Sequence, residues 1–230
     1  MKFIHLGDLH IGKTFNEFSM IEDQKYILEQ VIQIIEQESV DAVLIAGDIY
    51  DRSIPSEEAV RVLDSFLTEL CVRKKKVFII SGNHDSDERL NFASQLLKAN
   101  DIYIGSVYNG IIEHIDIEDE YGVIHVWLLP YIKASRVAHY YPKEDTKTYD
   151  LAFRTAISKC EVNKDDRNVI LVHQFVAGAS EDIELAGSEG GSENVGTLDK
   201  IGADCFSDFD YVAMGHIHNP QAVGRDTCRY

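Results

Sequence analysis

The chain of 230 residues lacks long apolar runs, and it has few cysteines. Its first residues, MKFIHLGDLHIG, contain no apolar stretch long enough for a signal peptide, and no later segment approaches the roughly 20 apolar residues that span a bilayer. Cys71, Cys160, Cys205 and Cys228 form no C-x-x-C pair, so neither a disulfide framework nor a thiolate zinc site is indicated. We therefore expect a cytoplasmic protein without membrane spans, whose cysteines are reduced and structural.

Positive charge is scarce too. The 22 Lys and Arg residues stand against 39 Asp and Glu residues, which gives a net charge of −17 and a pI near 4.8. This balance argues against a surface that attracts nucleic acid or anionic lipid over a wide area. A short basic cluster, Arg73–Lys76, follows a predicted helix. We interpret it as a helix end, where the helix dipole favours cations, rather than as a phosphate-binding patch.

The composition, 45% hydrophobic and 27% charged, is typical of a globular protein, and the length allows one large domain. The first hundred residues alternate strand and helix patterns, which predicts βαβ units and a largely parallel sheet. KFIHLG, DAVLIAG and KVFIISG are the predicted strands. Pro55 marks the start of the second helix, and DERLNFASQLLKAN is the third. In the first helix, one face carries Ile21, Leu28, Val31, Ile32 and Ile35.

The pattern changes after Asp101. GIIEHIDI and VIHVWLLP flank the turn EDEYG and predict an antiparallel hairpin, so we expect a mixed sheet. A helix, YDLAFRTAISKC, and two more strands, NVILVHQ and DYVAMG, follow. Between those strands, Gly178–Gly196 is rich in Gly, Ser and Glu and has no periodicity. The sequence leaves open whether this segment is a functional loop or a disordered insertion without a role.

Almost every predicted strand ends in a residue that can bind a metal ion. In open α/β sheets, ligands bind outside the carboxyl ends of the strands, so we expect these side chains to converge on one crevice. In strand order they are Asp8 and His10, Asp48, Asn83 and His84, His173, and finally His216 and His218.

Spacing and glycines support this convergence. Side chains two apart in an extended segment point the same way, so Asp8 and His10 can face one ion together, and His216 and His218 repeat this spacing. A glycine precedes Asp8, Asp48, Asn83 and His216, and we expect each to allow a sharp turn or a close approach to the site.

The candidate ligands are carboxylates, imidazoles and one amide, with no thiolate. This mixture suits octahedral Mn²⁺ or Fe²⁺, and also Zn²⁺. Each motif alone has an ordinary explanation: Asp48 could cap a turn, and His173 could be a hydrogen-bonded core histidine. The ordered set D-x-H, GD, GNHD, H and GHxH is far more specific, and it fits two ions that share a bridging carboxylate, the arrangement used for in-line attack on phosphate.

This ordered set resembles the calcineurin-like metallophosphoesterase superfamily. HLGDLHIGK, AGDIYDRSIPS, VHQFVAGA and FDYVAMGHIHNPQ narrow the resemblance to the nuclease subunits of DNA break-repair complexes, and it covers essentially the whole chain. The resemblance implies an α/β four-layer sandwich, in which two mixed sheets lie face to face with helices outside. It also implies two divalent metal ions, with Mn²⁺ favoured.

The resemblance further implies a role for each site residue. One ion is held by Asp8, His10 and His218, and the other by Asn83, His173 and His216. Asp48 bridges the two ions. His84 contacts the scissile phosphate and helps to protonate the leaving oxygen, and Asp85 orients His84. An uncharged Asn83 ligand adds no negative charge that would repel the substrate.

Two differences from the family limit which of its properties can be assigned to this chain. Some relatives carry a histidine three residues after the bridging aspartate, where this chain has Asp51, so Asp51 is assigned no catalytic role. Relatives also continue into a DNA-capping domain and a tail that binds an ATPase. We therefore expect residues 1–230 to be the nuclease core without those regions.

The main hypothesis is a Mn²⁺-dependent DNA nuclease with double-strand exonuclease and single-strand or hairpin endonuclease activity, acting in DNA repair, recombination and replication. Its expected partner is an ABC-type ATPase with a long coiled coil, in a heterotetramer that contains a nuclease homodimer. Leu90, Phe92, Leu96 and Leu97 could form the dimer contact, although we favour their packing in the core. Two alternatives stay open: a metallophosphoesterase acting on a phosphoprotein or small nucleotide, and a metal-free scaffold with the same fold.

Overall fold

A computed structural model describes residues 1–178, 183–184 and 200–230. Within that part of the chain, two large sheets lie between layers of helices. The strands are β1 (Phe3–Leu6), β2 (Thr14–Phe15), β3 (Phe18–Ser19), β4 (Ala42–Ala46), β5 (Lys76–Ile80), β6 (Ile102–Gly105), β7 (Glu113–Asp119), β8 (Gly122–Leu129), β9 (Arg167–His173), β10 (Val176–Ala177), β11 (Ile201–Gly202), β12 (Tyr211–Gly215), β13 (Ala222–Val223) and β14 (Arg225–Arg229). The helices are α1 (Ile21–Gln37), α2 (Glu57–Val72), α3 (Asp87–Leu90), α4 (Ser94–Lys98), α5 (Ala134–Tyr140) and α6 (Tyr149–Ile157), with a 3₁₀ helix at Ala203–Phe206.

The first sheet has the strand order β1-β4-β5-β6 and is parallel throughout. Strand β4 is completely buried, as its uninterrupted apolar sequence predicts. Helix α2 begins at Glu57, close to the start that Pro55 predicts. Ser56 is its N-cap, and the Ser56 side chain accepts a hydrogen bond from the Ala59 N–H. Four of the five residues predicted for the apolar face of α1 are buried, namely Ile21, Leu28, Ile32 and Ile35.

The second sheet is mixed, with the order β13-β14-β12-β9-β8-β7. Strands β7 and β8 form the predicted antiparallel hairpin, and Gly122 at its turn has a φ of +108°, which glycine adopts without strain. Strands β8, β9, β12 and β14 run parallel to one another. The resemblance implies two mixed sheets, and this is wrong for the first sheet, which is entirely parallel.

Three apolar layers hold the sandwich together. One lies between the two sheets and joins Leu44 and Phe78 of the first to Val126 and Leu171 of the second. Another lies under helices α1 and α2, and a third lies under α5 and α6 on the far side of the second sheet. The α/β four-layer architecture that the resemblance implies is confirmed.

The predicted third helix is wrong as a single element. It is split into α3 and α4, because Ala93 has a φ of 61° and ends the regular helix. The split changes which side chains are buried: Leu90 is buried and Leu97 packs partly against the core, whereas Phe92 is 82% and Leu96 74% exposed. Our preference for core packing is therefore wrong for Phe92 and Leu96.

The basic cluster Arg73–Lys76 is a helix end, as interpreted. Arg73 caps α2 and pairs with Glu36 and Glu69. Lys75 donates to the Val40 carbonyl, and Lys76 pairs with Asp101. These contacts occupy three of the four cations with groups of the chain itself. The segment Gly178–Gly196 lies outside the described residues except for positions 178, 183 and 184.

Candidate metal centre

The predicted site residues come from both sheets and meet at the carboxyl ends of parallel strands. Strands β1, β4 and β5 of the first sheet lead into three of the loops, and β9 and β12 of the second sheet supply the remaining positions. The structure brings these side chains together across the top of the sandwich. They are Asp8, His10, Asp48, Asn83, His84, His173, His216 and His218.

The backbone conformation of these loops differs from the predicted one. Asp8 and His10 do not lie in an extended segment, because β1 ends at Leu6 and their φ angles are 54° and 41°. Asp48 and His216 also have positive φ, at 48° and 100°. Left-handed conformations of residues other than glycine are uncommon and gather at functional sites. The predicted two-residue alternation is therefore wrong as the reason why Asp8 and His10 share a face.

Hydrogen bonds between loops replace that alternation. The Asp8 N–H donates to the Gly47 carbonyl at 3.2 Å, and the His10 N–H donates to the Asp48 carbonyl at 2.9 Å. Gln24, on helix α1, donates to the Leu9 and His10 carbonyls and accepts from the Gly12 N–H. The loop after β1 is thus held by the neighbouring loop on one side and by a helix on the other.

Three of the four predicted glycines lie in close contact with the site. A Cβ atom on Gly47 or Gly215 would collide with His173, and one on Gly82 would collide with the Asp48 carboxylate. Gly7 differs, because the nearest atoms to its added Cβ are at an ordinary 3.5 Å. The prediction of close approach is confirmed for Gly47, Gly82 and Gly215 and is wrong for Gly7.

This difference gives a matched pair of substitutions. Gly215→Ala should lower the free energy of unfolding by about 3 kcal/mol, because its Cβ would collide with the Ala46 carbonyl and lie 2.7 Å from His173 Nδ1. Gly7→Ala should cost less than about 1 kcal/mol, since the site has room. Urea unfolding followed by Trp127 fluorescence measures both. Equal losses in the two variants would show that close approach at Gly215 is unimportant.

The first group of candidate ligands contains Asp8, His10 and His218. His10 Nε2 and His218 Nε2 are 3.1 Å apart, and His218 Nε2 lies 3.5 Å from Asp8 Oδ1. The Asp8 carboxylate also accepts from the His216 N–H at 2.9 and 3.1 Å, which fixes its orientation.

The second group contains Asn83, His173 and His216. Asn83 Oδ1 lies 3.1 Å from His173 Nε2 and 2.9 Å from His216 Nδ1. His173 is completely buried, and its Nδ1 donates to the Ala46 carbonyl at 2.7 Å. That hydrogen bond directs Nε2 toward Asn83, so His173 is both a hydrogen-bonded core histidine and a candidate ligand.

Asp48 lies between the two groups. Its Oδ2 is 3.7 Å from His10 Nε2 and 3.3 Å from His173 Nε2, and the side chain is nearly inaccessible to solvent. Its Oδ1 accepts from the His84 N–H at 2.8 Å. One carboxylate therefore reaches both groups of ligands.

The charges of the site favour a cation. Burial alone would raise the pKa of Asp8 and Asp48, but hydrogen bonds and charges from His218 and His173 outweigh it and hold both pKa values below the usual range. Burial lowers the pKa of His10 and His216 to about 4, so both rings offer uncharged lone pairs at neutral pH. Burial would also lower the pKa of His173, but Asp48 and Asp8 raise it. Asp8 and Asp48 are therefore both ionised at neutral pH, which favours a cation between them.

The donor distances fit a coordination shell. First-row divalent ions bind nitrogen and oxygen at about 2.0 to 2.2 Å, so neighbouring donors of one shell lie about 3.0 to 3.5 Å apart. The distances within the two groups run from 2.9 to 3.5 Å. Asp8 with His10 and His218, and Asp8 with Asp48 and His173, are each close enough to hold one ion. The residues present therefore suit a divalent metal centre.

His84 stands at the edge of this centre. Its side chain is 45% exposed, and its Nε2 lies 4.0 Å from Asp48 Oδ2. Nδ1 lies 2.9 Å from the Asp51 carbonyl, so Nδ1 carries the proton and Nε2 faces the centre. The imidazole is thus accessible to a substrate and fixed in direction.

The predicted role of Asp85 is wrong. Its carboxylate makes no hydrogen bond to His84 but accepts from the Ile49, Tyr50 and Gly82 N–H groups at 2.9 to 3.0 Å. Asp85 therefore ties the loop after β4 to the loop after β5. The Asp51 carbonyl orients His84 instead, and sequence reasoning missed it because a main-chain carbonyl carries no residue signature. Gln24 was missed because one glutamine on a predicted helix looks like any solvated residue.

Comparison with known proteins agrees with this geometry. A profile of the family described as calcineurin-like phosphoesterase matches residues 1–220. The chain belongs to the calcineurin-like phosphoesterase family. Members of this family bind divalent metals, and the described residues include groups of side chains that could hold such an ion.

Two individual proteins can be compared with this phosphoesterase. It is 34% identical over 236 aligned positions to a Staphylococcus epidermidis protein named as the SbcD component of the nuclease SbcCD, and the match covers 100% of this chain and 60% of that protein. A crystal structure of a dimetal phosphatase from Danio rerio matches with a TM-score of 0.41 and 14% identity, over 75% of this chain and 69% of the other. That second similarity is too low to bear on function. Among the described residues, no helix is long and apolar enough to cross a bilayer.

Proposed function

We propose that residues 1–230 of this phosphoesterase are the catalytic core of a two-metal DNA nuclease. The position of Asp48 carries the proposal. Its Oδ2 lies 3.7 Å from a nitrogen of the first ligand group and 3.3 Å from a nitrogen of the second. A carboxylate so placed suits a bridge between two ions.

Each group of ligands is assigned one ion. Asp8, His10 and His218 would hold the first, and Asn83, His173 and His216 the second. Imidazole nitrogens mixed with carboxylate and amide oxygens suit Mn²⁺, and the pKa values of His10 and His216 leave both rings unprotonated at neutral pH. Asn83 adds an oxygen without a charge, which keeps the site from repelling an anionic phosphodiester.

When bound, the two ions would activate a water molecule and offset the charge that develops on the phosphate. The chain itself supplies the proton chemistry. His84 Nε2 is directed to the centre by the Asp51 carbonyl and lies in the accessible part of the site. We assign it to the scissile phosphate and to protonation of the leaving oxygen. Asp85 keeps the two loops in register through its three backbone hydrogen bonds.

DNA is the proposed substrate, because the relative with 34% identity is named a nuclease. A cavity of about 580 Å³ beside Asn83 supports this proposal. Lys133, Arg136 and Tyr131 line it beside Asp85 and Asp87, and cationic and aromatic side chains are the usual partners of a phosphate backbone and its bases. The net charge of −17 favours the alternative, a phosphoprotein or small nucleotide substrate.

The wider assembly is proposed by the same analogy. The nuclease would work with an SbcC-like ABC-type ATPase in the cytoplasm, as a homodimer within a heterotetramer. Both double-strand exonuclease and hairpin endonuclease activities would serve DNA repair and recombination. The exposed Phe92 and Leu96 offer apolar surface for a dimer contact.

Cleavage assays with and without metal test the proposed function. We expect Mn²⁺ to restore activity to EDTA-treated protein on hairpin and linear DNA, because the ligand set must be filled before the site can act. A phosphoserine peptide and a nucleoside cyclic phosphate are the competing substrates, each assayed at the same ion concentration. Faster turnover of either competitor than of DNA would favour the alternative substrate class, and an absence of bound Mn²⁺ would favour the metal-free scaffold.

A further inference from the structure

A second group of possible metal ligands lies on the β7–β8 hairpin. His114 and Asp116 are two residues apart on β7, and Asp116 is directly opposite His125 on β8. The three side chains therefore share one face of the sheet. Asp116 Oδ1 lies 3.3 Å from His114 Nε2 and 2.7 Å from His125 Nδ1. One ligand atom from each residue falls within 4.8 Å of the others.

This group has the features of a built site. His125 is mostly buried, and its second ring nitrogen, Nε2, lies 3.2 Å from Asp166 Oδ2. Asp166 is held in turn by the Asn163 side-chain amide at 2.7 Å. A carboxylate behind a histidine is the usual arrangement that fixes the ring of a metal ligand and leaves the other nitrogen for the ion. That other nitrogen, Nδ1, faces Asp116 here.

The geometry points to a second metal site, in which His114 Nε2, an Asp116 oxygen and His125 Nδ1 bind one Zn²⁺-like divalent ion. Two imidazoles and one carboxylate suit late first-row metals, and three protein ligands leave a position for water on the exposed side. Asp116 is 61% and His114 38% exposed, so an ion can enter without movement of the sheet.

The site is separate from the metal centre described above. Its ligands lie on β7 and β8, and none of them belongs to the loops that carry the phosphoesterase residues. Strand β7 is at the edge of the second sheet, so an ion here would join an edge strand to its neighbour. This site neither requires nor implies the proposed nuclease function.

A natural reporter lies beside the site. The chain has one tryptophan, Trp127, and its ring is centred 4.3 Å from that of His114. A paramagnetic ion bound to His114 would therefore quench the tryptophan fluorescence of the protein, and a diamagnetic ion that displaces it would restore the signal. Co²⁺ is the probe, and Zn²⁺ is the competitor.

The test titrates Co²⁺ into the whole chain and three hairpin variants, His114→Gln, His125→Gln and Asp116→Asn. We expect saturable quenching in the parent, reversal by Zn²⁺, and at least tenfold weaker Co²⁺ binding in each variant. Asp166→Asn should weaken binding about tenfold, because it removes only the support of His125. Two controls should quench like the parent: His139→Gln, a histidine outside both sites, and Asp48→Ala, which alters the central site.

Folding is checked in every variant by near-ultraviolet circular dichroism, and the hairpin variants should also keep the phosphodiesterase rate of the parent. Quenching in the hairpin variants that equals the parent would overturn the proposal. Loss of quenching in Asp48→Ala would also overturn it, because the signal would then arise from the central site.

Discussion

Replacing Asp48 by alanine is expected to lower the rate of phosphodiester hydrolysis about a thousandfold or more. The substitution removes the single carboxylate that lies between the two ligand groups, within 3.7 Å of His10 Nε2 and 3.3 Å of His173 Nε2. It also removes the acceptor of the His84 N–H. A thousandfold loss corresponds to about 4 kcal/mol of the activation barrier, which is the scale of metal-assisted charge stabilisation.

The same variant should lose metal. Equilibrium dialysis against Mn²⁺ should give fewer bound ions for Asp48→Ala than for the parent chain, since the bridge serves both ions of the central site. Asp64→Ala is the matched control, because it removes one carboxylate from an exposed position on α2 and changes the net charge equally. Activity of Asp48→Ala within tenfold of the control would contradict a bridging role.

His84→Gln should separate chemistry from metal binding. We expect kcat on DNA to fall by a factor of about 10² to 10⁴, the usual contribution of a positioned general acid, with Mn²⁺ affinity unchanged. The reason is the geometry: Nδ1 is bound to the Asp51 carbonyl, and the exposed Nε2 approaches the centre without belonging to either ligand group. Steady-state kinetics and Mn²⁺ titration measure the two effects, with Asp64→Ala as the control variant.

The choice of substrate distinguishes a general acid from a metal ligand at His84. A p-nitrophenyl phosphodiester has a leaving group that needs no proton, so the His84→Gln defect should shrink on it if the imidazole acts as a general acid. Parallel loss of Mn²⁺ binding and activity would instead make His84 a ligand. The structure gives that alternative a basis, because His10, Asp48 and His84 also offer ligand atoms close to one another.

Much of the fold was predictable because its strands carry unambiguous signals. Strand β4 is an uninterrupted apolar run and is fully buried, and the β7–β8 hairpin has its glycine at the turn. The break at Ala93 was not predictable, since alanine favours helix, whereas its φ here is left-handed. The split of α3 from α4 followed from that one residue.

The convergence of the candidate ligands was predictable from the sequence, whereas the groups that orient them were not. Carboxylates and histidines at strand ends carry a recognisable pattern, and the structure brings them together. The parts that orient them are mostly main-chain groups, such as the Ala46 carbonyl behind His173 and the Asp51 carbonyl behind His84. Such groups belong to every residue, so sequence reasoning assigned the orientation of His84 to the nearest carboxylate, Asp85, and was wrong.

Crystals grown with Mn²⁺ and measured at the manganese absorption edge test the central claim most directly, because anomalous scattering locates the ions and their ligands together. We predict two anomalous peaks about 4 Å apart, with Asp48 bound to both, one group of three ligands on each ion, and His84 bound to neither. A single peak, or two peaks that Asp48 does not join, would contradict the proposed two-metal centre.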